Sequence, residues 1–276
     1  MAGRLQGKIA IVVGAGATPA PGMGNGRAVA LTFAREGAKV IAVDRALDRA
    51  ELTASMIEKD GGECLPLAAN VTRPDDVATM AKAVLAAHGR IDILHHNVGF
   101  GGNGDILTTM PEDFDRQFAG NAKSVFLCMQ AVLPAMIAQG AGVVTTTSST
   151  LSTRFIETPA FTYTVAKAAV EAMTRSLAVS HGPMGIRANC IRIGFMDTPL
   201  NQSGWRPQFE TDEAYDAVIA ESARAVPLRR MGTGWDTASL ALFLASDEAA
   251  YLNGVIIPVD GGVELAPIHI AGLPES

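Results

Sequence analysis

With only three cysteines in 276 residues and no C-x-x-C among them, this chain has neither a disulfide framework nor a zinc knuckle. Cys64, Cys128 and Cys190 are odd in number and far apart, as buried thiols of a reducing compartment would be. Positive charge is also short. Lys and Arg number 22 against 28 Asp and Glu, for a net charge of −6 and a pI near 5.4. That balance argues against nucleic acid or an anionic membrane as partner. No apolar run reads as a bilayer span, and the N-terminus, MAGRLQGKIAIVVG, turns into a strand without a signal-peptide layout. Repeats, linkers and low-complexity stretches are missing as well. What remains is one domain over residues 1–276, large enough for a sizeable core, with the cytoplasm as its expected location.

Glycine is what the chain does have near its start. Residues 8–13, KIAIVV, are short, apolar and β-branched, as a central parallel strand is. They run into GAGATPAPGMGNG, where Gly14, Gly16, Gly22, Gly24 and Gly26 crowd one loop. A helical run, RAVALTFAREG, follows, and then the strand AKVIAVD, which ends in Asp44. Strand, glycine loop, helix, strand and terminal acid form the context of a dinucleotide site. Glycines let the backbone approach a pyrophosphate, the helix N-terminus favours its charge, and the acid accepts hydrogen bonds from ribose hydroxyls. Asp44 lies 20 residues beyond Gly24, the offset this reading requires. Gly22-Met23-Gly24 opens the helix.

A second concentration of chemistry lies between Ser149 and Lys167. Tyr163 and Lys167, four residues apart in a run that reads as a helix, share one face a turn apart. A phenol ordinarily titrates near ~10 and is a poor proton acceptor at neutral pH. An ammonium at about 4 Å, worth roughly 4 kcal/mol at an effective dielectric near 20, would lower it by about three pKa units. Ser149 ends the run GVVTTTSS, a buried strand leading into a polar loop, and could hold a substrate oxygen beside the phenol. His95 and His96 are adjacent on a strand, so they point to opposite faces and cannot share a metal.

Together the glycine loop and the Tyr-x-x-x-Lys pair resemble the short-chain dehydrogenase/reductase family, in its compact single-domain branch, over residues 7–262. The resemblance implies a doubly wound parallel α/β sheet (Rossmann fold). It also implies a hydride exchanged between an alcohol or ketone and a nicotinamide, without a metal. In that pattern Tyr163 is the acid/base, Lys167 also holds the nicotinamide ribose, Ser149 fixes the substrate oxygen, and Asn121 breaks its helix and carries a water to Lys167. Ser148 is a rival to Ser149, because fourteen residues separate Ser149 from Tyr163, about one more than usual.

The remaining cofactor contacts implied are Gly14, Gly16, Gly22, Met23, Gly24, Asp44, Arg45, Asn70 with Val71 at the adenine, Asn97 and Gly99 along the cofactor, and Thr198 at the nicotinamide amide. Three departures stand out. The loop has seven residues between Gly14 and Gly22 where three are usual, Asn70 replaces an aspartate, and Ile193 stands where the turn has proline. Asp44 and Pro21 favour NAD over NADP, with Arg45 the counter-signal, and NAD favours alcohol oxidation. Residues 199–226 are expected to be a substrate lid. Phe155, Ile156, Phe161, Phe195, Trp205 and Phe209 are candidates for an apolar substrate wall, and Arg154 and Arg192 could meet a carboxylate or be structural. A homotetramer is expected, with Ala168, Ala169 and Ala172 allowing close packing and the tail, 263–276, reaching an interface. Two other readings share the fold: an NAD-retaining epimerase or dehydratase, and a non-catalytic nucleotide sensor.

Overall fold

A computed structural model describes residues 3–102, 104–155 and 159–266. Ile156 and the tail beyond Ala266 lie outside them. In chain order the elements are β1 (Ile9–Val13), α1 (Asn25–Arg35), β2 (Lys39–Asp44), α2 (Leu47–Lys59), β3 (Cys64–Ala68), α3 (Pro74–His88) and β4 (Ile93–His96). Then come α4 (Pro111–Phe118), a π turn (Ala119–Lys123), α5 (Ser124–Gln139), β5 (Gly142–Ser149), α6 (Phe161–His181) and β6 (Ile186–Ile193). The chain closes with α7 (Pro199–Trp205), α8 (Asp212–Ala225), α9 (Gly234–Ala245) and β7 (Ile256–Val259). Among the described residues the seven strands form one sheet in the order β3-β2-β1-β4-β5-β6-β7. Every pairing is parallel.

A parallel sheet needs helical crossovers, and these cover both faces, which is why the strands read as unbroken apolar runs. Alternation along β4 shows the two sides. Leu94 joins a core with Val13, Val132 and Val170, while Ile93 joins the opposite core with Phe33, Ala241 and Leu244. His95 and His96 continue the alternation. His95 meets the Phe33 ring edge-on and sits 2.8 Å from Thr145 Oγ1. His96 faces the Lys167 side. Burial pushes both imidazoles down to about 3, so both are neutral.

One expectation about the helices changes. The stretch Pro111–Gln139, through α4, the π turn and α5, is long and apolar enough to cross a membrane by length and composition, and half of its most apolar window is buried. Its inward side, Val125, Cys128, Val132 and Met136, belongs to the core. A helix lying on a parallel sheet is apolar for that reason.

Because all strands run one way, their carboxyl ends emerge at one edge. The segments after β1, β2, β4, β5 and β6 meet there, and those segments carry the candidate residues.

Candidate active site

The glycine loop leaves β1 at Gly14, whose φ of +78° needs a residue without Cβ. Its amide donates to the Val43 carbonyl at 2.8 Å. Gly24 is the N-cap of α1, contributes no side-chain cap, and is followed by a first turn without acid. The first amides of α1 are therefore left for an outside acceptor, and an anion suits that helix end. Gly26, already inside the helix, lies against the Gly14 carbonyl so closely that a Cβ would clash with it. Close helix–strand packing is the task of the third glycine of a dinucleotide loop. The glycine roles therefore shift from Gly22 and Gly24 to Gly24 and Gly26. Gly22 belongs to the lengthened loop, and a Cβ added there would lie 3.8 Å from Pro199 and Gln202 of α7. The pair Gly26-Arg27, two residues beyond Gly24 rather than at it, was the signal for the shift.

Asp44 closes β2 with one carboxylate oxygen accepting from the Ala46 amide at 3.0 Å. The other faces Gly16, where a Cβ would collide with it and with Arg49. Arg45 is exposed. The arginine with more bearing is Arg27, which the sequence reading did not weigh. It is buried, donates to Thr53 Oγ1 at 2.9 Å, and feels the Asp44 charge. Thr53 in turn donates to the Ala15 carbonyl at 2.9 Å, which ties α2 to the glycine loop. Asn70 is exposed and turns its oxygen into its own turn, accepting from the Thr72 hydroxyl at 2.8 Å; Val71 is buried. The cradle without side chains, the uncapped helix end and the acid after β2 fit a dinucleotide.

The reactive groups come from β5, α6 and the segment after β4. Asn97 continues the ladder through its amide to the Val13 carbonyl at 2.9 Å. Gly99 then crosses Lys167, so near that an added Cβ would lie 2.8 Å from Nζ and 3.1 Å from Asn121 Oδ1. Asn121 sits in the π turn, where the expected break in helical bonding is found. Its side chain accepts from the Phe100 amide at 3.0 Å and donates to the Phe100 and Gln117 carbonyls, both at 2.9 Å. The side-chain amide thus holds the segment after β4.

Ser148 and Ser149 point to opposite sides of β5. The Ser149 hydroxyl is on the Tyr163 side, near enough to favour the phenolate, and accepts from the Leu151 amide at 3.2 Å. Ser148 turns away, to Glu171, at 2.9 Å.

Lys167 is buried, lies 5.6 Å from the centre of the Tyr163 ring, and donates to the Thr147 carbonyl at 3.1 Å. The large downward shift expected for Tyr163 is not found. Burial pushes the phenol up, with the Ser149 hydroxyl opposing it. Burial likewise lowers Lys167 to about 8. The ammonium addresses the ring and a carbonyl rather than the phenol oxygen, and desolvation resists charge on both groups.

Beyond β6, Gly194 passes so close to Asp260 that a Cβ would lie 2.6 Å from its Cα, so glycine makes this turn without the proline. Thr198 is buried, and its hydroxyl caps α7 by accepting from the Asn201 amide at 3.5 Å. The aromatic candidates have separate settings. Phe155 is exposed, Phe161 packs on Phe114 at 6.3 Å, and Trp205 is half-buried on the lid. Phe195 lines a cavity with Met196, Leu228 and Pro258, and Phe209 packs edge-on to Tyr215.

The lowered lysine has a consequence for stability. Its folded value, about 8, lies below the ordinary 10.5, so between those values the unfolded chain binds more protons than the folded one. The lysine therefore destabilises the fold most below pH 8, and the penalty fades as the pH rises toward 10.5. Lys167→Met should melt higher than the parent at pH 7, with the gap closing toward pH 10. Thermal melts at the two pH values check this, and a variant melting lower at pH 7 would contradict it.

Comparison with known proteins agrees with the geometry. The family model described as enoyl-(acyl carrier protein) reductase matches residues 17–264. The oxidoreductase UcpA of Escherichia coli K12 is 36% identical over 271 residues, covering 98% of this chain and 100% of that protein. The 2-(R)-hydroxypropyl-CoM dehydrogenase of Xanthobacter autotrophicus is 35% identical, covering 92% and 97%. A solved structure from Burkholderia xenovorans, assigned as a short-chain dehydrogenase/reductase, superposes with a TM-score of 0.91 at 38% identity, covering 96% of this chain and 99% of that one. With the glycine cradle, the sheet order and Ser149, Tyr163 and Lys167 at one edge, these matches make the chain a member of the short-chain dehydrogenase/reductase family of oxidoreductases.

Proposed function

We propose that the chain interconverts a secondary alcohol and a ketone with NAD(H), using Tyr163 as general acid/base. The observation that carries this is the convergence of Ser149, Tyr163 and Lys167 at the sheet edge that also bears the glycine cradle. The dehydrogenase from Xanthobacter is named for a 2-hydroxypropyl group, a secondary alcohol, which supports the substrate class.

A bound nicotinamide supplies the hydride chemistry. The residues do the rest. The Ser149 hydroxyl holds the substrate oxygen beside the phenol. Tyr163 takes the hydroxyl proton in oxidation and returns it in reduction, and its raised pKa suits the donor role. Lys167 places positive charge against the ring, which favours the phenolate that takes the proton in oxidation and that forms as the proton leaves in reduction. Asn121 holds the segment after β4 against Lys167.

Tyr163→Phe removes one oxygen and little volume. Turnover should fall by ~10²–10⁴, the usual worth of an acid/base group, while fluorescence titration shows NADH binding retained. Near-native turnover would refute the mechanism. An inactive wild type that binds NADH, tested on a panel of secondary alcohols, would instead favour the sensor or the non-redox enzyme.

Preference for NAD rests on Asp44. A 2′-phosphate there would place like charges within a few ångströms in a partly buried site, at a cost of several kcal/mol. Met23, just before the N-cap glycine, is uncharged, and the Arg27 guanidinium is committed to Thr53 and the Arg49 carbonyl. Asp44→Ala should raise the NADP-to-NAD ratio of kcat/KM. A wild type that prefers NADP would overturn the assignment. NAD use would favour oxidation in the cytoplasm, the expected location.

A homotetramer completes the reading. On α5, Phe126, Gln130 and Ile137 are exposed at helical spacing, and so are Ala168, Ala172 and Val179 on α6. Two apolar helix faces open to solvent suit a second copy. Light scattering at micromolar concentration should give four times the chain mass, and a monomer would exclude it.

A further inference from the structure

Directly behind Ser149 lies a buried ionic cluster that neither the cofactor cradle nor the acid/base step uses. Glu171 is one helical turn beyond Lys167 on α6, and its side chain is 5% exposed. Its two oxygens receive five contacts. Oε1 accepts from Ser148 Oγ at 2.9 Å, Ser152 Oγ at 2.7 Å and Arg192 Nε at 2.8 Å. Oε2 accepts from Arg192 Nη2 at 2.7 Å and lies 3.9 Å from Arg175 Nη2. Burial works against this carboxylate, but its hydrogen bonds to Arg192, Ser152 and Ser148 outweigh that and hold it ionised.

Ser148 and Ser152 bracket Ser149. Ser148 is the preceding residue on β5, and Ser152 ends the 3-10 turn, Thr150–Ser152, whose first amides Ser149 helps to cap. Two hydroxyls, one on each side of Ser149, are therefore pinned to a single carboxylate oxygen. Arg192 extends the cluster outward. Its Nη1 donates to both oxygens of Glu264, at 3.1 and 3.2 Å. Glu264 sits in a turn fixed by Asp260, which accepts from the Glu264 amide at 2.8 Å. Thr153 Oγ1 donates to Glu264 at 3.3 Å and Arg154 donates to the Val263 carbonyl.

A buried ion pair is poor value as stability alone, since apolar replacements often do as well. Its geometry is better suited to fixing one arrangement of the groups around it. We propose that Glu171, held by Arg192, is a positioning residue for the reaction: it orients the Ser148–Ser152 segment so that the Ser149 hydroxyl keeps facing the Tyr163 side chain. The inference rests on the roles of Ser149 and Tyr163 given above.

The test uses Glu171→Gln and, in case that variant folds poorly, the pair Ser148→Ala with Ser152→Ala, which leaves the Glu171–Arg192 pair intact. Two readouts are needed. In the first, the chain is labelled with 3-fluorotyrosine and the Tyr163 resonance, assigned by its loss in Tyr163→Phe, is titrated by fluorine NMR. Moving the Ser149 hydroxyl away from the phenol should move the Tyr163 midpoint upward, with no substrate required. In the second, kcat falls by ~10- to 100-fold, the usual penalty for a misplaced group, while the Kd for NADH is unchanged. A Tyr163 midpoint equal to wild type in the serine pair would overturn the proposal, whatever happens to the melting temperature. Should wild type turn over no alcohol, the oxidoreductase reading fails and the titration alone still decides the role of Glu171.

Discussion

The packing of α1 onto the sheet turns on one contact between backbones, Gly26 against the Gly14 carbonyl. With a hydrogen in place of a side chain there, α1 lies close enough for its uncapped N-terminus to meet the end of β1. That same closeness brings α9 against α1, with Gly234 lying on the Met23 and Gly24 carbonyls. Gly99 makes the equivalent approach over Lys167. At both places the chain trades side-chain volume for access of backbone to the sheet edge, where a ligand can then be gripped by amides.

Around that edge the structure accepts charge where burial opposes it. Lys167 is lowered to about 8 and Tyr163 is raised, both chiefly by desolvation. Neither shift is useful for folding. Perturbed titrating groups side by side in a cleft are, however, what a proton-exchange site is built from. Nearby polar groups are organised to keep this pair in place: the Thr147 carbonyl under Nζ, Asn121 behind Gly99, and Ser149 beside the phenol.

Much of this was legible in the sequence. The order of strands and helices, the parallel sheet and the places of Asp44, Ser149, Tyr163 and Lys167 follow from local pattern (period, glycine clusters and a four-residue spacing), while Asn121 follows only from the resemblance to the family. The glycine roles stay open in the sequence because the lengthened loop offers several glycines, and only packing tells which one touches Gly14. The pKa of Tyr163 was misread because spacing gives the distance of a charge but not the burial of both partners. The Glu171 cluster was not readable at all. Its links span 21 and 72 residues, and no local signal announces a contact that arises only when α6, β6 and the last turn meet.

The same division separates the fixed residues from the segment proposed as a substrate lid. Ser149, Tyr163 and Lys167 stand on a strand and a helix that belong to the core, so their geometry is inherited from packing. The lid, α7 and α8, is tied down by few bonds: the Thr198 cap on α7, Asn201 to the Met196 carbonyl at 2.8 Å, and Gln202 to Asp197 at 2.8 Å. These anchors all lie at its first turn, beside Gly22 of the lengthened loop. Farther out, Trp205, Phe209 and Tyr215 pack mainly within the lid or face solvent. The lid's far end is tied down again where Val226 is buried and the Leu228 amide donates to the Gly261 carbonyl at 3.2 Å. The stretch between can therefore change its wall without disturbing β5 and α6. Under the proposed function, the substrate wall could vary there while Ser149, Tyr163 and Lys167 stay in place.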